Sequence, residues 1–114
     1  MKQKEVVTVE LYDNESNSFK KSEYVVISRD EYHSLTKRSL ACEIVYSDAT
    51  EPFIIPIKVS GLRRTARVNT LLIYTLKQGN GSKSTHEFIG EISNKEFLKI
   101  AQAVSLNFNF PFLK

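Results

Sequence analysis

The N-terminal part of the chain alternates apolar and polar residues with a period of two, the pattern of a half-buried β-strand. Within residues 6–12, Val7, Val9 and Leu11 are the apolar members, which predicts a first strand. Residues 19–28 contain the run YVVIS and predict a second strand. The polar segment DNESNS between them is rich in Asx and serine residues, so the two strands are predicted to form a hairpin.

A short helix and several further strands are predicted for the middle of the chain. The segment RDEYHSLTK has acidic residues in its first turn and basic residues near its end, and Ser28 is its predicted N-cap. Strands are predicted over residues 40–47, 52–60, 67–77 and 86–91. Two prolines in 52–60 lack the N–H that an inner strand donates, so this strand is expected at a sheet edge. The run LLIY is the predicted buried centre of 67–77.

A C-terminal helix is predicted because Ser93 and Glu96 fit a capping box and apolar residues recur after them at helical spacing. About six short, mostly antiparallel strands and two helices predict a mainly β (α+β) fold. We expect one domain, residues 1–114, forming a small antiparallel barrel or strongly curled sheet with the last helix closing one side. Five residues are predicted to share its core: Val26, Ile44, Ile55, Leu72 and Ile100.

Composition narrows the class of protein. Hydrophobic residues make up 41% and charged residues 25% of the 114, a globular balance. No apolar run is long enough to span a bilayer, and the N-terminus lacks the features of a signal peptide, so we expect a cytoplasmic protein without a membrane partner. Cys42 is the only cysteine, and His33 and His86 stand apart from other metal-ligating residues. We therefore expect no intramolecular disulfide, no metal and no cofactor.

Charge is distributed unevenly along the chain. Residues 1–60 carry eight Lys/Arg against ten Asp/Glu, a net charge of −2, whereas residues 61–114 carry eight against three, a net charge of +5. The basic residues gather around the segment GLRRTARVNT, with Lys83 as a further member. Such a cluster is typical of a phosphate-binding surface, although a solvated turn is the simpler alternative. The candidate nucleic-acid-binding residues are Lys21, Lys58, Arg63, Arg64, Arg67, Asn69 and Lys77.

Five phrases, in order, resemble the MazF/PemK (Kid/CcdB-type) toxin family. They are YVVISRDEYHSLT, LACEIVYS, PFIIPI, ARVNTLLIYTLK and FIGEISNKEFLKIAQAV. The resemblance implies a small SH3-like barrel, with other RNA-binding barrels such as PUA-like modules as an alternative. It also implies a homodimer, an RNA substrate and an antitoxin partner.

The chain departs from this family at the positions that serve RNA cleavage. Ser22 and Glu23 stand where the family has Arg-Pro, and Val45 stands at the expected position of its catalytic threonine. Leu71 and Leu72 replace Asp-Gln, and Tyr74 replaces the next arginine. Cleavage at the 2′-hydroxyl needs a base, an acid and a cation, which valine and leucine cannot supply.

Three functions remain open at this stage. The first is a non-catalytic RNA-binding barrel with a regulatory role, which the departures favour. The second is an active, metal-independent endoribonuclease toxin that uses replacement residues such as Lys21, Ser22, Ser47, Arg64 or Arg67. The third is a protein-interaction module without an RNA role. The aromatic tail NFNFPFLK is expected either to fold back over the barrel or to bury against a second copy.

Overall fold

The chain folds into a mainly antiparallel β half-barrel with two helices. The computed structural model describes residues 1–13, 15–48, 50–77 and 84–107, so Lys83 and the tail beyond Asn107 lie outside the described residues. The elements in chain order are β1 Glu5–Asp13, β2 Ser18–Val26, α1 Asp30–Thr36, β3 Arg38–Tyr46, β4 Ile54–Pro56, β5 Ala66–Asn69, β6 Tyr74–Lys77, β7 Ser84–Glu91 and α2 Asn94–Leu106.

The sheet runs in the order β4-β5-β3-β2-β1-β7, and β6 pairs with β3 outside this path. Every pairing is antiparallel. Strand β3 is shared: its first four residues pair with β6, its middle residues 41–43 pair with β2, and its last three pair with β5. The predicted hairpin is present as β1 and β2, with Val6 opposite Val25 and Asp13 opposite Ser18. The short β4 lies at the sheet edge, where the missing N–H of Pro56 costs no inner ladder bond.

Apolar side chains form two clusters on the two faces of the curled sheet. The main core lies on one face and is covered by α2, whose Ile100 is fully buried in it. The second cluster includes Val7, Val26 and Leu76 on the other face. Alternation along β1 explains the split, because Val6 and Val7 point to opposite faces and each is buried. The core members of the main cluster are Val6, Val25, Cys42, Ile44, Ile57, Ala66, Val68, Ile92 and Ile100.

Helix α2 begins with the predicted capping box. The Ser93 hydroxyl accepts from the Glu96 backbone N–H, and the Glu96 carboxylate accepts from the Ser93 backbone N–H. The other Glu96 oxygen accepts from the backbone N–H of Lys58 at 2.7 Å, which ties the helix to the segment between β4 and β5. In the part of the chain that the structure describes, no helix is long and apolar enough to cross a membrane.

The single strand predicted over residues 67–77 is wrong. The structure has two short strands there, β5 and β6, joined by a turn. Leu71 and Leu72 lie in this turn and are half exposed, so Leu72 is not a core residue. Of the other predicted core members, Ile44 and Ile100 belong to the main cluster, and Ile55 packs against it. Val26 is fully buried but belongs to the second cluster.

Two smaller expectations also fail. Ser28 does not cap α1; its hydroxyl accepts from the Leu40 backbone N–H, and the N-cap is Arg29, which makes no side-chain cap bond. The strand predicted over 52–60 shrinks to three residues, Ile54–Pro56, followed by one further bond from the Ile57 N–H to the Ala66 carbonyl before the chain leaves the sheet. That segment carries several of the candidate basic residues.

Glu96 provides a test of this architecture. Replacing it by alanine removes the acceptor for two backbone N–H groups and should lower the free energy of unfolding by about 1–2 kcal/mol. Burial alone would raise the Glu96 pKa, but hydrogen bonds from Ser93 and Lys58 and the Lys99 charge bring it below its usual value. The stabilisation is therefore complete above the unfolded glutamate pKa of about 4.3 and is lost as the pH falls through the lower folded pKa.

Urea unfolding of the parent and of Glu96→Ala between pH 3 and 7 measures this effect. The gap between the two stability curves should close at the acidic end. Glu51→Ala, which removes an exposed carboxylate, is the control and should run parallel to the parent. Parallel curves for Glu96→Ala would refute the role of the carboxylate charge.

Candidate nucleic-acid interface

A groove of about 700 Å³ opens where β3 leaves β2. Strand β2 pairs with β3 only from Tyr24 to Val26, and β3 pairs with β5 from Ile44 onward. The two strands therefore diverge beyond the Tyr24–Glu43 pair, and the space between them is the groove. Its wall includes Thr8, Lys21, Ser22, Glu23, Glu43, Ile44, Val45, Tyr46, Arg63 and Glu87.

The strand register explains why charged residues face this groove. Thr8 of β1 lies opposite Glu23 of β2 on one side and opposite Glu87 of β7 on the other, so the three share one face of the sheet. Lys21 is two residues from Glu23 along β2 and points to the same face. This is also the face that carries the main core, so the groove continues the core beyond the point where apolar side chains end.

Tyr46 bridges the divergent strands. Its hydroxyl donates a hydrogen bond to Oε1 of Glu23, and the Arg63 guanidinium lies over its ring at 4.8 Å from the centroid. Burial, followed by the hydrogen bond and the negative charge of Glu23, raises the Tyr46 pKa to about 12, with Arg63 acting in the opposite direction. The phenol therefore stays protonated at neutral pH and keeps donating to the carboxylate.

The segment between β4 and β5 holds Arg63 in place. Gly61 has φ of +100°, a conformation that favours glycine, and the turn is closed by a Leu62 N–H bond to the Val59 carbonyl at 3.0 Å. Val59 packs so closely on β7 that a Cβ at Gly90 would lie 2.7 Å from its Cγ1. With the Lys58–Glu96 bond, these contacts fix the segment from both sides. We call residues 57–65 the basic loop.

A second cavity of about 550 Å³ lies along the basic loop. Lys58, Arg63 and Arg64 line it together with apolar residues, and its described lining includes no Asp or Glu. Arg63 belongs to both cavities. The described structure thus places Lys58, Arg63 and Arg64 beside the second cavity. Lys21 and Arg63 both line the groove.

The other candidate residues lie elsewhere. Arg67 and Asn69 are half buried on the outer face of β5, opposite Pro56 and Ile54 of the edge strand. The Asn69 side chain accepts from the Leu71 backbone N–H at 3.0 Å, so it shapes the turn after β5.

Lys77 lies opposite Arg38 at the start of β3. Arg67 lies opposite Val45 near the end of the same strand, so seven residues separate the two positions. At ~3.3 Å per residue, Lys77 is roughly 23 Å along β3 from Arg67. The candidate cations therefore do not form one continuous patch.

Two residues of this site were not among the sequence candidates. Tyr46 was missed because the sequence comparison drew attention to Val45, its neighbour along β3. Glu23 was noted as a departure from the family's Arg-Pro, and nothing in the sequence placed it beside Tyr46. Tyr46 ends the largely apolar run of β3, whereas Glu23 follows the polar residues Lys20–Ser22 of β2, so neither residue carried a distinctive local signal.

Neither histidine is among the described lining residues of the groove or of the second cavity. Nδ1 of His33 lies 3.2 Å from the hydroxyl of Ser39, which is fully buried, and His86 is exposed on β7. Within residues 1–13, 15–48, 50–77 and 84–107, no group of three or more His, Cys, Asp or Glu residues is placed to hold a metal ion.

Comparison with known proteins identifies the family and the fold of this chain. A family model described as the PemK-like, MazF-like toxin of type II toxin–antitoxin systems matches residues 2–108. The chain belongs to this family. A search of curated proteins found no match.

Solved structures of toxin-family proteins share the fold. A chain of a MazE–MazF structure from Deinococcus radiodurans superimposes with a TM-score of 0.77 at 13% identity, over 95% of each chain. An endoribonuclease in complex with its cognate antitoxin from Mycobacterial species gives 0.74 at 19% identity, over 97% of each chain. The Mycobacterium tuberculosis toxin MazF-mt6 gives 0.65 at 14% identity, over 89% of this chain and 95% of that chain. At such identities the likeness shows the fold alone.

Cys42 gives a simple check of the core beneath this interface. Burial raises the pKa of its thiol to about 11, so almost no thiolate exists at neutral pH. We expect the folded protein to resist iodoacetamide at pH 7.5 and to be labelled fully in urea. Mass spectrometry after timed exposure measures this. Rapid labelling of the folded protein would mean that β3 opens readily at this point.

Proposed function

We propose that this member of the toxin family binds single-stranded RNA through the basic loop and the adjoining groove. The observation that carries the proposal is the convergence of Lys58, Arg63 and Arg64 on one cavity whose described lining has no acidic residue. Several cations at one place are what phosphate contacts need. Family membership supports the same choice of ligand.

The rigidity of the basic loop favours binding. Its backbone is held by the Gly61 turn, by close packing of Val59 on Gly90 and by the bond to Glu96. A cation on a fixed backbone loses less conformational freedom on binding than one on a free tail. Arg63 is further oriented by the Tyr46 ring, which leaves its guanidinium between the two cavities.

The proposal includes a regulatory setting in the cytoplasm, with a homodimeric protein held in check by a protein antitoxin. Its support is family membership and the likeness to structures described as MazE–MazF and as an endoribonuclease with its cognate antitoxin. The positions at which the family carries its cleavage residues hold Val45, Leu71 and Leu72 here, and these side chains cannot transfer protons.

Salt dependence tests the assignment to the basic loop. Replacing Arg63 and Arg64 together by alanine should weaken binding of a labelled single-stranded RNA. It should also flatten the plot of log K against log salt concentration by about 1.4 units, at ~0.7 per phosphate contact on single strands. Stability should change by about 0.5 kcal/mol or less, because both side chains are exposed. Fluorescence anisotropy at several salt concentrations measures both quantities.

The matched control is the double variant Arg38→Ala with Lys77→Ala. It removes the same charge at the start of β3, roughly 23 Å along that strand from Arg67, which follows the basic loop by two residues; this is more than the Debye length of about 10 Å at 0.1 M salt. It should leave the slope unchanged. An equal loss of slope in both double variants would indicate non-specific attraction. No RNA binding by the parent would leave the protein-interaction module as the surviving alternative.

A further inference from the structure

We infer that the second cavity binds the terminal phosphate group of a nucleotide, either at the 5′ end of an RNA chain or on a free nucleoside polyphosphate. For the first of these sources the inference rests on the proposed RNA binding and deepens it, because it names the part of the RNA that the cations of this cavity take. It concerns the cavity lined by Lys58, Arg63 and Arg64 and not the groove beside β2.

The positive charge of the second cavity is not neutralised by neighbouring carboxylates. Its described lining holds three cations and no Asp or Glu, and all three cationic residues are exposed. Within residues 1–13, 15–48, 50–77 and 84–107, none of the three forms an ion pair. Glu96 accepts from the backbone N–H of Lys58, not from its ammonium, and also from Ser93, so this carboxylate is engaged in holding the loop. The cavity is therefore available to a negatively charged ligand.

This concentration of charge in one cavity favours a terminal phosphate over an internal one. A phosphodiester within an RNA chain carries a single negative charge. A terminal phosphate carries about −1.5 to −2 at neutral pH, and each further phosphate of a diphosphate or triphosphate adds to that charge. Because a ribose separates successive phosphates within RNA, three cations around one cavity are matched better by a group that holds its negative charge in one place.

The polar side chains of the cavity supply complementary contacts for such a group. An arginine guanidinium presents its N–H groups as a planar fork that can bind two oxygens of one phosphate, whereas a lysine ammonium acts as a point charge. Ser60 also lines the cavity, and its hydroxyl can donate to a phosphate oxygen. Arg63 is already oriented by the ring of Tyr46, 4.8 Å from its centroid, so this side chain loses less freedom on binding.

The size and the apolar wall of the cavity fit the remainder of one nucleotide. Its volume of about 550 Å³ lies within the range of about 300–1,000 Å³ that is usual for small-molecule sites. Val59 and Leu62 line it and are half buried, so part of their aliphatic surface can cover a ribose or a base. Aliphatic side chains form no hydrogen bonds to base edges, and we therefore expect little preference for one base over another.

The cavity and the groove share one of their described lining residues. Lys58 and Arg64 line only the second cavity, Lys21 lines only the groove, and Arg63 belongs to both. An RNA whose 5′ end lies in the second cavity can continue past Arg63 into the groove, whereas a free nucleotide in the cavity competes with RNA for that arginine. The contribution of the terminal phosphate can therefore be separated by mutation from that of the rest of the RNA.

The first experiment compares one single-stranded RNA sequence, labelled at its 3′ end, with either a 5′-hydroxyl or a 5′-triphosphate. Fluorescence anisotropy without Mg²⁺ measures both affinities, and guanosine triphosphate and guanosine are added as competitors. We expect the triphosphate RNA to bind about tenfold more tightly, because charge-assisted hydrogen bonds are among the strongest that proteins form. Competition by guanosine triphosphate but not by guanosine, without a preference between the two RNAs, would identify the free nucleotide as the source of the phosphate group.

Failure of the inference and failure of the proposed function give different results. Equal affinity for the two RNAs, with no competition by guanosine triphosphate, would overturn the inference and leave RNA binding standing. Calorimetric binding of guanosine triphosphate by a protein that binds neither RNA would support the inference and overturn the proposed function. Absence of binding to all of these ligands would overturn both.

Variants test the location of the phosphate site through the ratio of the two RNA affinities. Arg64→Ala and Lys58→Ala should each lower this ratio about threefold or more, because each removes a charged donor that lines only the second cavity. Lys58→Ala keeps the backbone N–H that bonds to Glu96, so the basic loop stays in place. Any loss of folded protein affects both RNAs equally and cancels in the ratio.

Lys21→Ala is the matched control, because it removes one cation from the groove alone. It should lower the affinity for both RNAs by the same factor and leave their ratio unchanged. If the ratio survives in both Arg64→Ala and Lys58→Ala, or if it falls as far in Lys21→Ala, the second cavity is not the phosphate site and the inference is wrong.

Discussion

The division of β3 between two sets of partners governs this structure. A strand can pair with one neighbour on each side at any point, and β3 uses its length to pair with three: β6 at its start, β2 at its middle and β5 at its end. The sheet must curl where the partners change, and the curl creates both the covered face beneath α2 and the gap beside β2. The groove is a consequence of backbone pairing, and the side chains that face it are those that alternation brings to the core face.

Helix α2 links that covered face to the basic loop. Its capping box satisfies its own first turn, and the same glutamate also accepts from Lys58, so one side chain closes the helix and holds the loop. Gly90 permits the loop to lie directly on β7, where any Cβ would meet Val59. A change at the helix N-terminus would therefore also alter the hold on the basic loop, which carries Arg63.

Membership of the toxin family establishes the fold of this chain, but it does not establish which side chains face the groove. The fold is retained over nearly the whole chain although identity to the solved structures is below 20% for most of them. Positions that face the groove are nonetheless occupied by residues able to bond, stack and carry charge. Tyr46 contacts two of them, through its hydroxyl bond to Glu23 and through its ring beneath Arg63.

Local patterns in the sequence determined the β1–β2 hairpin, the edge position of β4 and helix α2. Each depends on neighbours within a few residues: a period of two, prolines without N–H groups, or a serine and a glutamate three residues apart. The LLIY run gave a wrong strand prediction because apolar content predicts burial but does not show where a chain turns. The Asn69 side chain accepts from the Leu71 N–H, and β5 ends at Asn69, before the run begins. Only the tertiary structure decided the site, since the groove joins β2, β3 and a loop through pairings between residues about twenty or more apart. The basic residues were visible in the sequence, but which of them share a surface depends on the register of β3, and no local pattern encodes that register.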